Sequence, residues 1–260
     1  MNLIVIYHSG AGSTKYIAEL FYNALKKCGH SADISAIERC RDVSFEHYDG
    51  AVIGFPTYHA SPSPSISKFI QSISAAKNNL PVYLFTTCGW YSANSLRILA
   101  QSCLKKNLVT VGSRSFRAPA SDGVLLIPQC KGFMKFEKNI TLKVEQCAKN
   151  AAELFAAGEV KLNLPRWKFY SLLNYPNKLA GQYLYKPKIY VNNDVCVKCG
   201  KCVSDCANGC ISLEHGRIIL NQTACEHCYR CIHHCPKGAL SLNKNRQTRV
   251  QLNDQFFKSL

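Results

Sequence analysis

Cys196-Val197-Lys198-Cys199-Gly200-Lys201-Cys202-Val203-Ser204-Asp205-Cys206 returns 29 residues later as Cys225-Glu226-His227-Cys228-Tyr229-Arg230-Cys231-Ile232-His233-His234-Cys235-Pro236. Both copies read C-x2-C-x2-C-x3-C. Two residues between ligands bring successive thiolates to the inside of one tight loop, where three of them meet three irons of one cubane. The fourth, three residues on, points away and closes the other cluster. The spacing therefore assigns Cys196, Cys199, Cys202 and Cys235 to one [4Fe–4S] cluster. Cys225, Cys228, Cys231 and Cys206 hold the second. Zinc is the alternative, but structural zinc takes its ligands as two separated pairs, and three close cysteines per loop would leave one idle at each site.

Residues 190–243 resemble the two-cluster bacterial ferredoxins, a small α+β fold. Two departures stand out. Ala207 follows the fourth cysteine of the first motif where that family has proline, which loosens the turn without removing a ligand. Cys210 is an extra thiol beside two ligand sets that are already complete, so it reads as a core residue. His215, His227, His233 and His234 read as surface or hydrogen-bonding residues for the same reason.

The chain has 260 residues and 15 cysteines, of which seven lie outside the motifs: Cys28, Cys40, Cys88, Cys103, Cys130, Cys147 and Cys210. They are scattered singly through apolar periodic segments, which reads as core packing in a reducing cytoplasm rather than as a disulfide scaffold. At 47% hydrophobic and 18% charged, the composition excludes disorder over most of the length. No apolar run is long enough to cross a bilayer. The first residues carry no basic segment ahead of Leu3–Tyr7, so a secretory signal is not expected.

Net charge is +16, divided as +7 over residues 1–158 and +9 over 159–260. Two clusters and a flavin phosphate, at about −2 each, would leave the molecule at roughly +10. A basic balance favours an acidic protein partner, an anionic membrane surface or nucleic acid, without choosing among them. Residues 159–189 form a basic, aromatic connector. Between Val160 and Tyr190 there is no Asp or Glu, while Lys161, Arg166, Lys168, Lys178, Lys186 and Lys188 alternate with aromatics such as Trp167, Phe169 and Tyr175. Two readings stay open for it: a packed link between domains, or a docking strip for an acidic redox protein or a membrane surface. Nucleic-acid stacking is the weaker third. Residues 244–260 are read as a tail.

Residues 1–158 alternate apolar runs with segments of helical period. Leu3–Tyr7, Ala51–Phe55, Val82–Thr87 and Val109–Phe116 read as buried strands. Ile17, Phe21 and Leu25, and later Ile140, Val144, Cys147, Ala151 and Leu154, mark helical stripes. Such alternation implies an α/β, doubly wound parallel sheet whose ligands sit at the carboxyl ends of the strands. Three loops fall at that edge. Ser9-Gly10-Ala11-Gly12-Ser13-Thr14-Lys15 opens a helix and lacks both the Walker order and G-x-G-x-x-G. Gly54 to Ala60 includes Pro56-Thr57-Tyr58-His59, and Thr86 to Ser92 includes Cys88-Gly89-Trp90-Tyr91. Ala118–Gly123 is a further candidate wall.

These loops resemble those of the flavodoxins, and the whole chain is similar to bacterial flavodoxin–ferredoxin fusion proteins. The resemblance implies FMN. Ser9, Gly10, Gly12, Ser13 and Thr14 would cradle its phosphate; Pro56, Thr57, Tyr58, Cys88, Gly89, Trp90 and Tyr91 would frame the ring, with Tyr58 and Trp90 flanking it. Ala11 stands where flavodoxins carry a second threonine, removing a hydroxyl donor worth ~1 kcal/mol. Less acidity around the flavin than in those proteins implies an anionic reduced flavin that forms more easily. No nucleophile–base pair is visible, so the expected function is intracellular electron transfer between two [4Fe–4S] clusters and FMN. The alternative is a flavin-dependent reductase of a small-molecule acceptor, with Trp90, Tyr91 and His59 shaping its pocket.

Overall fold

The computed structural model describes residues 1–40, 43–171, 187–244, 248 and 250–259. Four apolar runs become strands of one sheet: β1 (Asn2–Tyr7), β3 (Gly50–Tyr58), β5 (Leu80–Cys88) and β6 (Leu108–Arg117). They are buried on both faces, which explains why they read as continuous hydrophobic runs rather than alternations. The strand order is β2-β1-β3-β5-β6, all parallel, with the two-residue β4 (Ser61–Pro62) added antiparallel to β3. That order reverses between β1 and β3, and ligands of doubly wound sheets bind outside the strand ends at this switch point.

The edge strand β2 (Ser31–Ala36) is absent from the expected set. Its sequence Ser-Ala-Asp-Ile-Ser-Ala is half-exposed and carries one large apolar residue, so no hydrophobic run announces it. Pairing with β1, in register from Asn2↔Ser31 to Tyr7↔Ala36, makes it a strand.

Helices cover both faces. On one side α1 (Ser13–Lys27) and α5 (Ile140–Ala156) pack over Val5, Val52 and Phe85. The rings of Phe21, Phe85 and Phe116 interlock there at centroid distances of 5.0–6.2 Å. All three are fully buried, each contributing roughly 1.5–3 kcal/mol by removal from water. On the other side α2 (Pro64–Ser72) and α3 (Ser95–Leu104) cover Ile4, Ile53 and Leu84. The short α4 (Ser121–Leu126) follows β6.

The cysteine-rich module repeats itself structurally. Helices α6 (Lys201–Ser204) and α7 (Arg230–His233) are offset by the same 29 residues as the motifs. β7 (Tyr190–Val191) pairs with β10 (Leu240–Ser241), and β8 (Ile211–Glu214) with β9 (Arg217–Leu220) through a His215-Gly216 turn. Residues beyond 250 form α8 (Asp254–Lys258), which packs against the first domain rather than trailing from the second. Lys178, Lys186 and Tyr175 of the connector lie outside the described residues. Among the described residues no helix is long and apolar enough to cross a membrane. The packing role expected of the isolated cysteines fails at two positions. Cys88, Cys103, Cys147 and Cys210 are buried, but Cys28 and Cys130 are exposed because they follow a helix end and sit in a loop.

Candidate functional site

A cleft of about 640 Å³, counting its open mouth, lies at the switch point. Ser9, Gly10, Ser13 and Thr14 line one end, and Pro56, Thr57, Tyr58, Cys88 and Gly89 line its walls, so nine of the twelve sequence candidates meet there. Pro119–Asp122 closes the side opposite. Gly12 lies behind this surface. Trp90 is 77% exposed and stacks on Phe133 at 6.1 Å, and Tyr91 is also exposed; neither lines the cleft. A short loop ahead of α3 swings both outward to the rim.

The residues fit a phosphorylated planar ligand. Helix α1, 15 residues long, starts at Ser13 and presents its positive end and free N–H groups to the cleft. The hydroxyls are held in place by the protein: Ser13 Oγ donates to Pro119 O at 2.9 Å, Ser9 Oγ accepts from Gly12 N at 3.1 Å, and Thr14 and Thr87 hydroxyls bond at 2.8 Å. No carboxylate stands among Ser9–Thr14. A methyl at Gly10 would collide with the Tyr58 hydroxyl and the Cys228 carbonyl oxygen, so only glycine permits this approach.

The Cys228 contact marks what the sequence concealed. His227 and Tyr229, from the second cysteine motif, are part of the cleft wall. Glu226 reaches across to accept from Ser65 N (3.0 Å) and Ser65 Oγ (2.8 Å) and lies 3.1 Å from His8 Nε2. On its other side His8 Nδ1 is 3.3 Å from Glu38, which pairs with Arg230 at 2.8 Å. Arg230 Nε also donates to Ser9 O at 3.0 Å and Gly10 O at 3.2 Å. By pulling these carbonyls toward itself, the guanidinium turns the same peptide units' N–H groups the other way.

One histidine, two glutamates and an arginine are thereby locked between the domains. Burial pulls the His8 imidazole down, but Glu226 and Glu38 outweigh it and its pKa is raised. Burial likewise opposes ionisation of Glu226, yet His8 and Ser65 hold its carboxyl down to about 2. His8, with Glu226, Glu38 and Arg230, forms a neutral set of two cations and two anions, which offsets much of the cost of burying each. His233 is buried as well: Nε2 lies 2.9 Å from Ser121 O, and Nδ1 accepts from Leu252 N at 3.0 Å. It therefore ties α4, the cysteine module and the C-terminal segment together. That segment finishes over the phosphate loop, where Leu252 buries against Ala11 and Phe257 against Gly12.

Four of the eight motif cysteines, one of the two sets expected from spacing, line one cavity. A cavity of about 330 Å³ is lined by Cys196, Cys199, Cys202 and Cys235, with Ile218 and Leu240 among its apolar walls. Burial, then the neighbouring Cys196, Cys235 and Cys199 sulfurs, push the Cys202 thiol up to about 11. Cys231 is raised by burial and by Cys225, Cys202 and Cys206. Matching backbone N–H groups reach matching sulfurs in both halves. Lys198 N donates to Cys196 Sγ and His227 N to Cys225 Sγ, each at 3.4 Å. Cys210 N donates to Cys206 Sγ and Ala239 N to Cys235 Sγ, each at 3.2 Å. Such bonds favour thiolate and lower the charge cost of a reduced cluster. Among the described residues, no three His, Cys, Asp or Glu side chains converge on a point that could hold a single metal ion.

Comparison with known proteins follows the same division. Residues 4–109 match the flavodoxin domain family and residues 185–250 the 4Fe-4S dicluster domain family. A protoporphyrinogen IX dehydrogenase [quinone] of Escherichia coli is 22% identical over 151 residues, which cover 55% of this chain and 80% of that protein. Among solved structures, a flavodoxin from the domain Archaea is 16% identical over 60% of this chain and 99% of its own, with a TM-score of 0.44. The two-electron reduced flavodoxin of Megasphaera elsdenii is 17% identical over 58% of this chain and 98% of its own, with a TM-score of 0.44.

Proposed function

We propose, from the premise that this chain is a flavodoxin domain followed by a 4Fe-4S dicluster domain, that it passes single electrons between two [4Fe–4S] clusters and a bound FMN. The observation that carries this reading is the shared wall: His227 and Tyr229, flanking Cys228, line the same cleft as Ser9–Thr14. A flavin accepts one or two electrons and a cluster one, so together they convert between the two. The protein's part is placement. Cys225, Cys228, Cys231 and Cys206 hold the cluster that faces the flavin; Cys196, Cys199, Cys202 and Cys235 hold the one that faces out. Ser9, Ser13, Thr14 and the start of α1 bind the phosphate, while Tyr58 and Gly89 frame the ring. Arg230 fixes the phosphate loop from behind. The net charge of +16 suits an acidic redox protein as the exchange partner, and the seven cysteines scattered singly outside the motifs suit a reducing cytoplasm. Anaerobic purification with iron, sulfide and flavin counts tests the reading. About eight irons, eight sulfides and one FMN per chain are expected. A colourless preparation, or two zinc ions per chain, overturns it.

A second reading, reduction of a small acceptor, rests on a different observation. A neighbouring cleft of about 680 Å³ shares Tyr58, His59 and His227 with the flavin cleft and adds Lys68, Asn208 and Glu226. A small molecule there would sit beside both redox sites, and the quinone in the name of the Escherichia coli relative supplies an acceptor class to try. Quinone turnover that is lost in Cys225→Ala and restored by dithionite supports this reading; no turnover with any quinone removes it.

A further inference from the structure

At the β6 edge of the sheet, away from both cofactor sites, lies a groove of about 1380 Å³, counting its open mouth. It runs between α3, α5, β6 and the chain at 163–168. Arg97, Arg114, Arg166 and Lys168 line it, interleaved with amide side chains including Asn94 and Asn163. No carboxylate lines it among the described residues.

Several cations elsewhere in this protein are paired with carboxylates: Lys77 with Glu46 at 2.7 Å, Lys27 with Glu145 at 3.2 Å, Arg230 with Glu38 at 2.8 Å. In the groove they are steadied by neutral oxygens instead. Arg97 Nη1 donates to Pro165 O at 2.9 Å, and Lys168 Nζ donates to Ser92 Oγ at 3.0 Å. Bonds of this kind fix a side chain's direction without cancelling its charge. Arg114 is the exception, 3.6 Å from a Glu137 that Lys143 holds more closely at 3.0 Å. Arg166 is exposed and forms no ion pair among the described residues.

Uncompensated like charges lining one concavity repel each other, and the protein walls focus their field into it. An anion relieves that repulsion, and side chains already held in place give up little freedom to receive it. Guanidinium groups match phosphate oxygens in pairs. Three cations, Arg97, Arg166 and Lys168, contribute to its lining, and its amides offer donors and acceptors for a neutral ester portion. We propose that it binds a small molecule carrying a di- or triphosphate chain, with the chain on Arg97, Arg166 and Lys168.

The test uses the holoprotein with its flavin site saturated, titrated calorimetrically with ADP and, separately, with inorganic pyrophosphate. Saturable one-to-one binding of either supports the proposal. Equal affinities assign recognition to the phosphate chain, and tighter ADP adds the ester portion. R166Q changes an exposed side chain and should weaken binding at least tenfold; the R97Q/R166Q pair should abolish it. K149Q, equal in charge change at an exposed residue that is not part of the groove lining, should weaken it far less. The proposal fails if neither ligand binds saturably, or if R166Q and K149Q behave alike. It also fails if a decaglutamate peptide binds and loses affinity in R166Q while ADP does not bind, which would make the groove a seat for an acidic protein segment.

Discussion

Around Cys196 the chain faces water: Val197, Lys198 and Cys199 are exposed, and the left-handed residue ahead of α6 is Gly200, with φ +73°. Around Cys225 the equivalent positions press on the flavodoxin domain. Glu226 bonds Ser65, His227 and Tyr229 are buried in the cleft wall, and Tyr229 takes the left-handed conformation at φ +58°. One backbone template thus serves two environments. In the outward copy, glycine takes the left-handed turn without strain. In the inward copy a tyrosine is forced into it, at a cost of order 1–3 kcal/mol, because its ring is needed against the cleft. Left-handed side chains are not confined to the inward copy: Lys198 and His227 share φ +57° at equivalent positions, and the two copies differ at the next left-handed site, Gly200 against Tyr229.

Removing each cradle in turn should separate the two roles most sharply. Cys225→Ala should cut electron delivery from an external donor to the flavin by 10²-fold or more in stopped-flow traces. Cys199→Ala should slow entry from outside yet leave the flavin reducible by dithionite with the inner cluster still present in EPR spectra. Equal losses in both variants would contradict an inner and an outer cluster.

Next in size is Arg230→Gln. Losing a charged donor to Ser9 O and Gly10 O should weaken FMN binding about tenfold or more, read by flavin fluorescence. Phe257→Ala, which uncovers Gly12 from the other side, should weaken it by a smaller factor. Unchanged affinity in Arg230→Gln would mean that the phosphate loop holds its shape without the second domain.

The left-handed pair separates strain from packing. Tyr229→Gly relieves backbone strain but empties the place of a buried ring in the core, so unfolding should shift downward by about 2–4 kcal/mol as FMN affinity falls. Gly200→Tyr should only destabilise, by about 1 kcal/mol, since space around that position is open. Thermal unfolding followed by circular dichroism distinguishes them.

A last, modest difference is in pH. The His8 pKa is raised in the folded protein, so its contribution is complete below about 6.5 and fades as pH rises through the higher folded value. The groups facing it are Glu38, Glu226 and, through Glu38, Arg230. Unfolding midpoints should therefore fall above neutrality in the native chain and flatten in His8→Gln.

The 4Fe-4S dicluster domain was legible because cluster chemistry dictates spacing along the chain, and eight cysteines recur at fixed intervals. The sheet was legible where strands are buried on both faces and lost at β2, whose half-exposed residues carry no run. Phosphate-loop and ring-loop residues could be placed since loops at strand ends converge by topology. Trp90 could not, since nothing local directs a side chain two residues beyond the end of β5; here it turned to Phe133. Glu226, Arg230 and His8 left no trace at all. Charged residues between cluster ligands look like solvated surface until the partner domain is in place, and His8 looks like the end of a strand. Contacts between domains depend on docking, which local periodicity does not encode.

Power saturation of the flavin radical EPR signal in anaerobically reduced holoprotein tests the adjacency of the inner cluster and the flavin most directly. A fast-relaxing cluster beyond the Cys228 wall should make the flavin signal hard to saturate in the native chain and in Cys199→Ala, and easy to saturate in Cys225→Ala. A flavin signal that saturates in the native chain as readily as in Cys225→Ala would contradict the shared wall.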